Sequence, residues 1–301
     1  MARQALDLEL SHQGGESIVL SLLPNIVING IELATPKSIE DIFSLLRDTH
    51  QLIQSTQAPE VKIQLGDQQM RIHPEPIGEG VKTIVYSVEG KQEVLKIPRP
   101  TYRGLMSIIY AKKISNEGHI LMQKNPRLLV PEGFAFQSLG LYSIEERFDG
   151  PTLSEYFTAQ GLFFKDRATG EIRMVSGPKR AQILSLPMFK LISQEIESYL
   201  QQRRQYPSLL DDIGPSNFIL DSYRNQLAFV DLGPASVSTS TRYNQIKNFE
   251  DYLNEAVIAL NRYIQKGSLT LSQVDKWSTE KIARGNQFNQ CAQIFELKVA
   301  Q

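Results

Sequence analysis

The sequence is poor in cysteine and in long apolar runs. Its one cysteine, Cys291, excludes an intramolecular disulfide and a cysteine-based zinc cluster, and is typical of a reducing compartment. No apolar run approaches the ~20 residues that a membrane-spanning helix needs. Asp7 and Glu9 lie where a signal peptide would require apolar residues after a basic start. We therefore expect neither a membrane span nor a standard export signal.

Excess charge of one sign is also missing. The chain has 32 Lys and Arg residues against 33 Asp and Glu, which gives a formal net charge of -1. No overall field therefore attracts it to nucleic acid, and we expect no nucleic-acid binding. With 22% charged and 41% hydrophobic residues in a chain of 301, the composition is that of a folded globular protein with a substantial core.

The texture of the sequence changes near residue 70. Residues 1–70 hold two β-rich runs, and Ser38-Ile39-Glu40-Asp41 resembles a capping box that opens a helix. We predict that these residues form an N-terminal extension or a small α/β region. From residue 71 a β-rich part precedes a helix-rich part, which is typical of an α+β protein.

Several elements of the later part can be predicted from periodicity. Residues 84–88 and 93–97 are strand-like and are joined by a turn. Residues 161–180 are polar and contain glycine, so we predict a loop. Residues 188–200 show the spacing of a long amphipathic helix, and residues 249–264 keep the i, i+3, i+4, i+7 pattern over four turns.

A glycine-rich turn leads directly into a strand at Ile77-Gly78-Glu79-Gly80-Val81-Lys82-Thr83-Ile84-Val85. Glycine allows backbone amides to approach phosphate groups closely. A strand follows the turn here, which distinguishes it from the dinucleotide fingerprint that opens a helix. The alternative is an ordinary hairpin turn with two glycines.

Two charged residues follow the turn at the spacing of a phosphate-orienting pair. Lys96 lies at the end of the next strand after apolar Val94 and Leu95, and Glu117 lies in a predicted helix over 104–123. A lysine there can bind phosphates and pair with a helix glutamate. The alternatives are an exposed lysine at a strand end and a solvated helix residue.

The third group consists of Asp212, Asn217 and Asp231. In-line phosphoryl transfer needs a carboxylate that orients the attacking hydroxyl, with an amide oxygen and a second carboxylate that hold magnesium. Asp212 and Asn217 precede a predicted strand-turn-strand, and Asp231 follows it directly. Asp211 rivals Asp212 as the base, but the five-residue step to Asn217 favours Asp212. Alternatively, all of these are turn residues.

Taken in chain order, these residues resemble the signature of the protein-kinase-like superfamily over about residues 72–265. The resemblance implies a two-lobed fold, with a β-rich N-lobe over about 71–147 and a reduced helical C-lobe over about 148–301. It also implies that ATP and Mg²⁺ bind. Thr83 stands where the third glycine of the phosphate loop is usual.

The resemblance assigns a role to each residue of the set. Asp212 would be the catalytic base, Lys96 with Glu117 would orient the phosphates, and Asn217 and Asp231 would be magnesium ligands. Residues expected to line the nucleotide are Ile77, Gly78, Gly80, Thr83, Val85, Lys96, Glu117, Glu146 and Phe148. Glu145 takes the gatekeeper place, where a charge is unusual.

Departures from the pattern indicate an atypical or minimal kinase. Leu210-Asp211-Asp212 replaces His-Arg-Asp, so switching by activation-loop phosphorylation is not expected. Gly214 replaces the lysine usual in serine/threonine kinases, and only 68 residues follow Gly233. The chain is similar to secreted bacterial effector kinases of the OspG and NleH type, and more distantly to RIO and lipopolysaccharide kinases.

The expected function is therefore an ATP- and Mg²⁺-dependent phosphotransferase (EC 2.7.-), with a serine/threonine protein preferred to a small molecule as acceptor. No histidine occurs between His119 and the C-terminus, whereas small-molecule kinases of the superfamily usually keep one near the base. Alternatives are a pseudokinase that acts as a nucleotide-responsive binding module, and a nucleotidyl or small-molecule transferase. The N-terminal region could dock a substrate or regulatory protein, or be a structural addition. The expected location is the cytoplasm, or a host cell reached by specialised secretion.

Overall fold

The protein, described by a computed structural model, contains both helices and β-sheets. The structure describes residues 6–11, 17–22, 26–80, 82–105, 128–129, 142–205, 214–221, 226–230, 245–267 and 269–283. The chain divides into two compact units, one made of residues 1–116 and 131–147 and the other of residues 117–130 and 148–301. The predicted mixture of helix and sheet is confirmed.

The first unit begins with short strands around one helix. These elements are β1 (Leu6–Ser11), β2 (Ser17–Leu22), β3 (Ile26–Ile28), β4 (Ile31–Leu33), α1 (Ile39–Gln54), β5 (Val61–Leu65) and β6 (Gln68–Ile72). β1 pairs with β2, and a second antiparallel sheet has the order β4-β3-β5-β6. Asn29 and Gly30 join β3 to β4 with φ angles of 49° and 83°, the left-handed turn that Asn-Gly favours.

A four-stranded antiparallel sheet completes the first unit. Its strands are β7 (Gly78–Glu79), β8 (Thr83–Ser87), β9 (Glu93–Pro98) and β11 (Ser143–Glu146), in the order β11-β9-β8-β7, while β10 (Leu128–Leu129) belongs to the second unit. The two central strands agree with the predicted strands at 84–88 and 93–97. Successive side chains of a strand point to opposite faces, so this sheet presents two chemically different surfaces.

One face of this sheet and α1 share a single apolar core. Buried side chains that belong to this core are Ile42, Leu45, Leu46 and Ile53 of α1, and Ile84, Tyr86, Leu95 and Ile97 of the sheet. The spacing of the helix residues is that of one buried stripe, and the strand residues alternate with those of the other face. The helix α1, strands β3, β5 and β6, and the sheet of the glycine turn therefore share one core.

Hydrogen bonds hold α1 in place near both of its ends. The predicted capping box at the start of α1 is confirmed, since the Ser38 hydroxyl accepts from Asp41 N–H and Asp41 accepts from Ser38 N–H. Near the other end of α1, Thr49 Oγ1 lies 2.9 Å from the Tyr142 hydroxyl, and His50 Nε2 lies 2.9 Å from the carbonyl oxygen of Pro98. The helix is thus attached to the end of β9 and to the residue before β11.

The second unit consists mainly of helices. Its remaining elements are α2 (Leu153–Ala159), β12 (Phe163–Lys165), β13 (Ile172–Met174), α3 (Gly177–Leu184), α4 (Pro187–Gln205), a 3₁₀ helix (Pro215–Asn217), β14 (Phe218–Asp221), β15 (Gln226–Phe229), α5 (Phe249–Gln265) and α6 (Leu271–Ala283). The predicted helices at 188–200 and 249–264 are confirmed by α4 and α5. The predicted helix over 104–123 falls largely on residues outside the described ones.

The prediction of a loop over 161–180 is wrong. The antiparallel hairpin β12–β13 and the start of α3 occupy this segment. Its turn is closed by the Asp166 carboxylate, which accepts from Ala168 N–H and Thr169 N–H. The Asn261 side chain bonds both backbone groups of Ile172. Leu162, Phe163 and Ile172 of this segment are buried, and the long-range hydrogen bonds from Asn261 of α5 could not be predicted from the polar composition.

An aromatic cluster forms the core of the second unit beneath the hairpin β14–β15. The rings of Phe218 and Phe229 stack at 4.8 Å between centroids, Tyr199 of α4 meets Phe218 edge-on at 5.4 Å, and Tyr252 of α5 contacts Phe218 at 6.1 Å. These pairs bury large apolar surfaces in defined orientations. Among the described residues, no helix is both long enough and apolar enough to cross a membrane.

We predict that Ile42→Ala destabilises the chain by about 2–5 kcal/mol, because this fully buried side chain lies in the core shared by α1 and the sheet. The free energy of unfolding, measured with urea and far-UV circular dichroism, tests this. Ile31→Ala is the control, since Ile31 is 51% exposed and should matter by no more than about 0.5 kcal/mol. Equal effects of the two substitutions would contradict the shared core.

Stability should also depend on pH through His50. Burial lowers the pKa of the His50 imidazole below its ordinary value of 6.5. The unfolded chain then binds the proton more readily, so stability falls as pH drops below about 6.5. His50→Gln keeps an N–H for the Pro98 carbonyl but does not titrate, and should flatten the decrease in melting temperature between about pH 7.5 and about pH 5.5. An unchanged decrease would exclude His50 as its source.

Candidate functional site

The glycine turn joins β7 and β8 as a tight hairpin. Ile77 N–H donates to the Val85 carbonyl at 2.9 Å, and Gly80 N–H donates to the Thr83 carbonyl at 2.9 Å. Thr83 and Val85 are half-buried, whereas the Ile77 side chain is 51% exposed. The structure thus brings together the predicted residues of the phosphate turn, and it leaves an apolar side chain accessible beside them.

Neither the backbone conformation nor the available space requires glycine at Gly78 or Gly80. Gly78 and Gly80 both lack a positive φ angle. A Cβ atom at Gly78 would lie 3.7 Å from Val85 Cβ, and one at Gly80 would lie 3.4 Å from the Thr83 carbonyl oxygen, which are ordinary contacts. The chain could therefore hold alanine at either position. Glycine here is consistent with close approach of a ligand to the backbone.

Arg99 braces the turn, a role that the sequence did not reveal. Its Nε donates to the Gly80 carbonyl at 2.7 Å, and its Nη2 lies 3.1 Å from the Glu79 carboxylate. Its backbone N–H donates to the Lys82 carbonyl at 2.8 Å. Because Arg99 directly follows β9, these three bonds fix the turn to the strand that carries Lys96.

Gly104 has the structural reason that the glycines of the turn lack. A Cβ atom there would lie 2.3 Å from the Arg99 carbonyl oxygen and 2.9 Å from that of Lys82. Backbone atoms cannot yield as a flexible side chain does, so only glycine fits this close approach. Gly104 N–H also donates to the Thr101 hydroxyl at 3.1 Å. The corner after β9 is therefore packed directly beneath the turn.

Lys96 forms a buried ion pair with Glu145. Its Nζ lies 2.6 Å from Glu145 Oε2, and the two side chains are only 14% and 5% exposed. The Ser143 hydroxyl donates to the other carboxylate oxygen of Glu145 at 3.4 Å. The helix partner predicted for Lys96, Glu117, lies outside the described residues. Glu145 at the gatekeeper place is thus an ionic partner that the motif did not indicate.

The pairing of the strands places Lys96 and the turn on one face of the sheet. Gly78 lies opposite Val85, Val85 opposite Lys96, and Lys96 opposite Ser143. Residues directly opposite one another in an antiparallel ladder share a face. The row therefore runs from the first glycine to the buried ammonium across adjacent strands, on the face turned away from the apolar core.

Glu146, predicted to line the nucleotide, is the last residue of β11. Arg147 N–H donates to the Gln92 carbonyl at 3.0 Å, so alternate residues of this segment bond to β9. The backbone N–H and C=O of Glu146 consequently point away from β9. Phe148, also predicted to line the nucleotide, is buried and belongs to the second unit.

In the second unit, both backbone groups of Asn217 form hydrogen bonds at the end of a short 3₁₀ helix. Asn217 N–H donates to the Gly214 carbonyl at 3.0 Å, and its own carbonyl accepts from Val230 N–H at 2.9 Å. The neighbouring Ser216 hydroxyl lies 2.8 Å from the Ser154 hydroxyl in α2. This loop is therefore fixed to the start of α2 and to the end of β15.

Asp212 and Asp231, the predicted base and metal ligand, lie outside the described residues. Val230 immediately precedes Asp231 in the sequence and is bonded to Asn217. Among the described residues, no group of three or more His, Cys, Asp and Glu side chains could hold a metal ion. A magnesium site formed by Asn217 and Asp231 therefore stays a prediction.

Two protein kinases are among the solved structures to which this chain is similar. No family model and no curated protein matches the sequence. The crystal structure of Rad53 1-466 in complex with AMP-PNP is 14% identical with a TM-score of 0.38, covering 91% of this chain and 76% of that one. The PknI kinase domain of Mycobacterium tuberculosis is 17% identical with a TM-score of 0.28, covering 56% and 61%. Both scores are too low to bear on the fold or function of this chain.

The different surroundings of the glycines predict different costs of substitution. Gly104→Ala should destabilise the chain by about 1–3 kcal/mol or more, because the new methyl group meets backbone atoms. Gly78→Ala should change stability by less than about 1 kcal/mol, since its methyl group finds only ordinary contacts. Urea titration of both variants checks this. A severe loss from Gly78→Ala would mean that the fold itself requires that glycine.

Proposed function

We propose that this protein is an ATP- and Mg²⁺-dependent phosphotransferase with a protein-kinase-like fold. The observation that supports this most is the row Gly78–Val85–Lys96, in which a glycine turn and a buried ammonium group share one face of a single sheet. A site for a polyphosphate needs a backbone that the phosphates can approach closely, and it needs a fixed positive charge. The predicted two lobes and their boundary near residue 147 belong to the same proposal.

In this proposal the nucleotide lies on the Lys96 face of the sheet. Gly78 and Gly80 admit the phosphates close to the backbone, and Lys96 binds them through its ammonium. Ile77 and Val85 offer apolar surface to the base, and Glu146 and Phe148 would line it. Arg99 keeps the turn in a receptive conformation before the nucleotide arrives, which lowers the entropy cost of binding.

The second unit supplies the groups that act on the acceptor. Asp212 accepts the proton of the attacking hydroxyl and orients its oxygen toward the γ-phosphorus. Asn217 and Asp231 would hold magnesium, which when bound neutralises charge on the phosphates. The hydrogen bond between Val230 N–H and the Asn217 carbonyl supports this assignment, because it fixes the residue that directly precedes Asp231 to the loop that carries Asn217.

The acceptor that we propose is a serine or threonine hydroxyl of a protein. The loop carries Gly214 where serine/threonine kinases usually hold a lysine, so acceptor recognition must come from elsewhere in the chain. A small-molecule acceptor, transfer of a nucleotidyl group and a pseudokinase are the competing functions. Nucleotidyl transfer and a pseudokinase use ATP differently from a kinase, so ATP labelled at different positions separates them from it. A small-molecule acceptor would take the γ-label without labelling protein.

We expect wild-type protein to transfer label from γ-labelled ATP, but not from α-labelled ATP, to itself or to proteins of a lysate. Asp212→Asn should reduce the transfer about 10²–10⁴-fold, the usual contribution of a general base. Asp231→Ala should abolish it by removing a metal ligand. Asp211→Asn is the matched control, because the same substitution at the adjacent carboxylate should leave most of the transfer intact.

The alternative outcomes separate the competing functions. Transfer of α-label alone would indicate a nucleotidyl transferase and contradict the kinase proposal. Binding of ATP without transfer, at saturating magnesium, would indicate a pseudokinase. If Asp211→Asn reduced the transfer as much as Asp212→Asn does, the base would stay unassigned. The γ-label transfer by the wild type would still support the proposed reaction.

A further inference from the structure

One partner of Lys96 is a carboxylate of the same sheet. Glu145 lies opposite Val94 in the pairing of β11 with β9, and Ser143 lies opposite Lys96. Opposed residues share a face and side chains alternate along a strand, so Lys96 and Glu145 are diagonal neighbours on one surface. Their 2.6 Å contact therefore follows from the strand register.

Both oxygens of the Glu145 carboxylate have defined neighbours. Oε2 contacts the Lys96 ammonium, and Oε1 accepts from the Ser143 hydroxyl. The Glu145 side chain is 5% exposed, so water cannot replace these contacts. A buried carboxylate without a counter-charge is strongly unfavourable, and the same holds for a buried ammonium. Each charge of the pair therefore depends on the other.

We propose that Glu145 is the positioning residue for Lys96, and that it fixes the ammonium in the row of the glycine turn before a nucleotide binds. This inference rests on the proposed function, since it assumes that Lys96 binds phosphate. An ammonium has three N–H donors, so one can remain on Glu145 while the others reach the ligand. The neighbouring strands of one sheet hold both residues, which makes the arrangement rigid.

Glu145 acts through Lys96 in this proposal, and that makes its effect conditional. Glu145→Gln should weaken binding of a non-hydrolysable ATP analogue roughly tenfold or more, as expected when a buried charge loses its partner. In a Lys96→Met background the same change should have almost no further effect on affinity. Isothermal titration calorimetry of wild type, both single variants and the double variant measures this cycle.

Melting temperatures of the same proteins report on the ion pair without any nucleotide. Glu145→Gln should lower the melting temperature of the wild type, because it removes the negative charge that lies 2.6 Å from the buried ammonium. The same substitution should raise the melting temperature of Lys96→Met, because it removes a buried carboxylate that has lost its partner. This reversal of sign is specific to an interdependent buried pair.

Glu93→Gln is the matched control. Glu93 makes the same kind of contact on the same sheet, with Lys91 Nζ at 3.3 Å, but their side chains are 39% and 56% exposed. Exposed pairs contribute little, so this substitution should change analogue affinity by less than about twofold. An effect equal to that of Glu145→Gln would indicate a general sensitivity of the sheet and overturn the assignment.

The two measurements separate failure of this inference from failure of the proposed function. If Glu145→Gln weakens binding equally with and without Lys96, or if the sign reversal is missing, Glu145 is not the positioning residue although nucleotide still binds. If the wild type binds no ATP analogue, the proposed function fails, and the nucleotide-positioning role fails with it. The melting temperatures then still decide whether the ion pair exists.

Discussion

The sheet β7–β8–β9–β11 depends on the packing of one of its faces against α1. Ile84 and Leu95 bury their side chains in the same core as Ile42 of the helix, and His50 adds a hydrogen bond to the end of β9. Strand alternation then assigns the neighbouring residues, Val85 and Lys96 included, to the opposite face. Apolar packing on one side thereby fixes where the charge can lie on the other.

This arrangement gives α1 a structural role beside the candidate site. The helix α1 is attached to the end of β9, and Arg99 directly beyond that end braces the glycine turn. The packed helix therefore supports the end of β9, and the residue after β9 supports the glycine turn.

The ion pair on the charged face of the sheet allows Lys96 to be buried while it keeps its charge. A lysine that binds phosphate must be fixed and shielded from water, but burial without a counter-charge is unfavourable. Glu145 meets this requirement on the adjacent strand, at the gatekeeper place where a charge is unexpected. In the sequence its position departs from the kinase-like pattern, and in the structure it forms an ion pair with Lys96.

The sequence by itself determined features that depend on residues a few positions apart. The capping box at Ser38, the Asn29–Gly30 turn, the central strands and the helices at 188–200 and 249–264 were predicted correctly for this reason. Tertiary structure alone decided the ionic partner of Lys96, the brace from Arg99 and the hairpin within 161–180. These arise from strand register, close backbone approach and bonds between distant segments, and local periodicity carries no record of such contacts. The predicted roles of Asp212, Glu117 and Asp231 rest on the sequence pattern alone, because those residues lie outside the described structure.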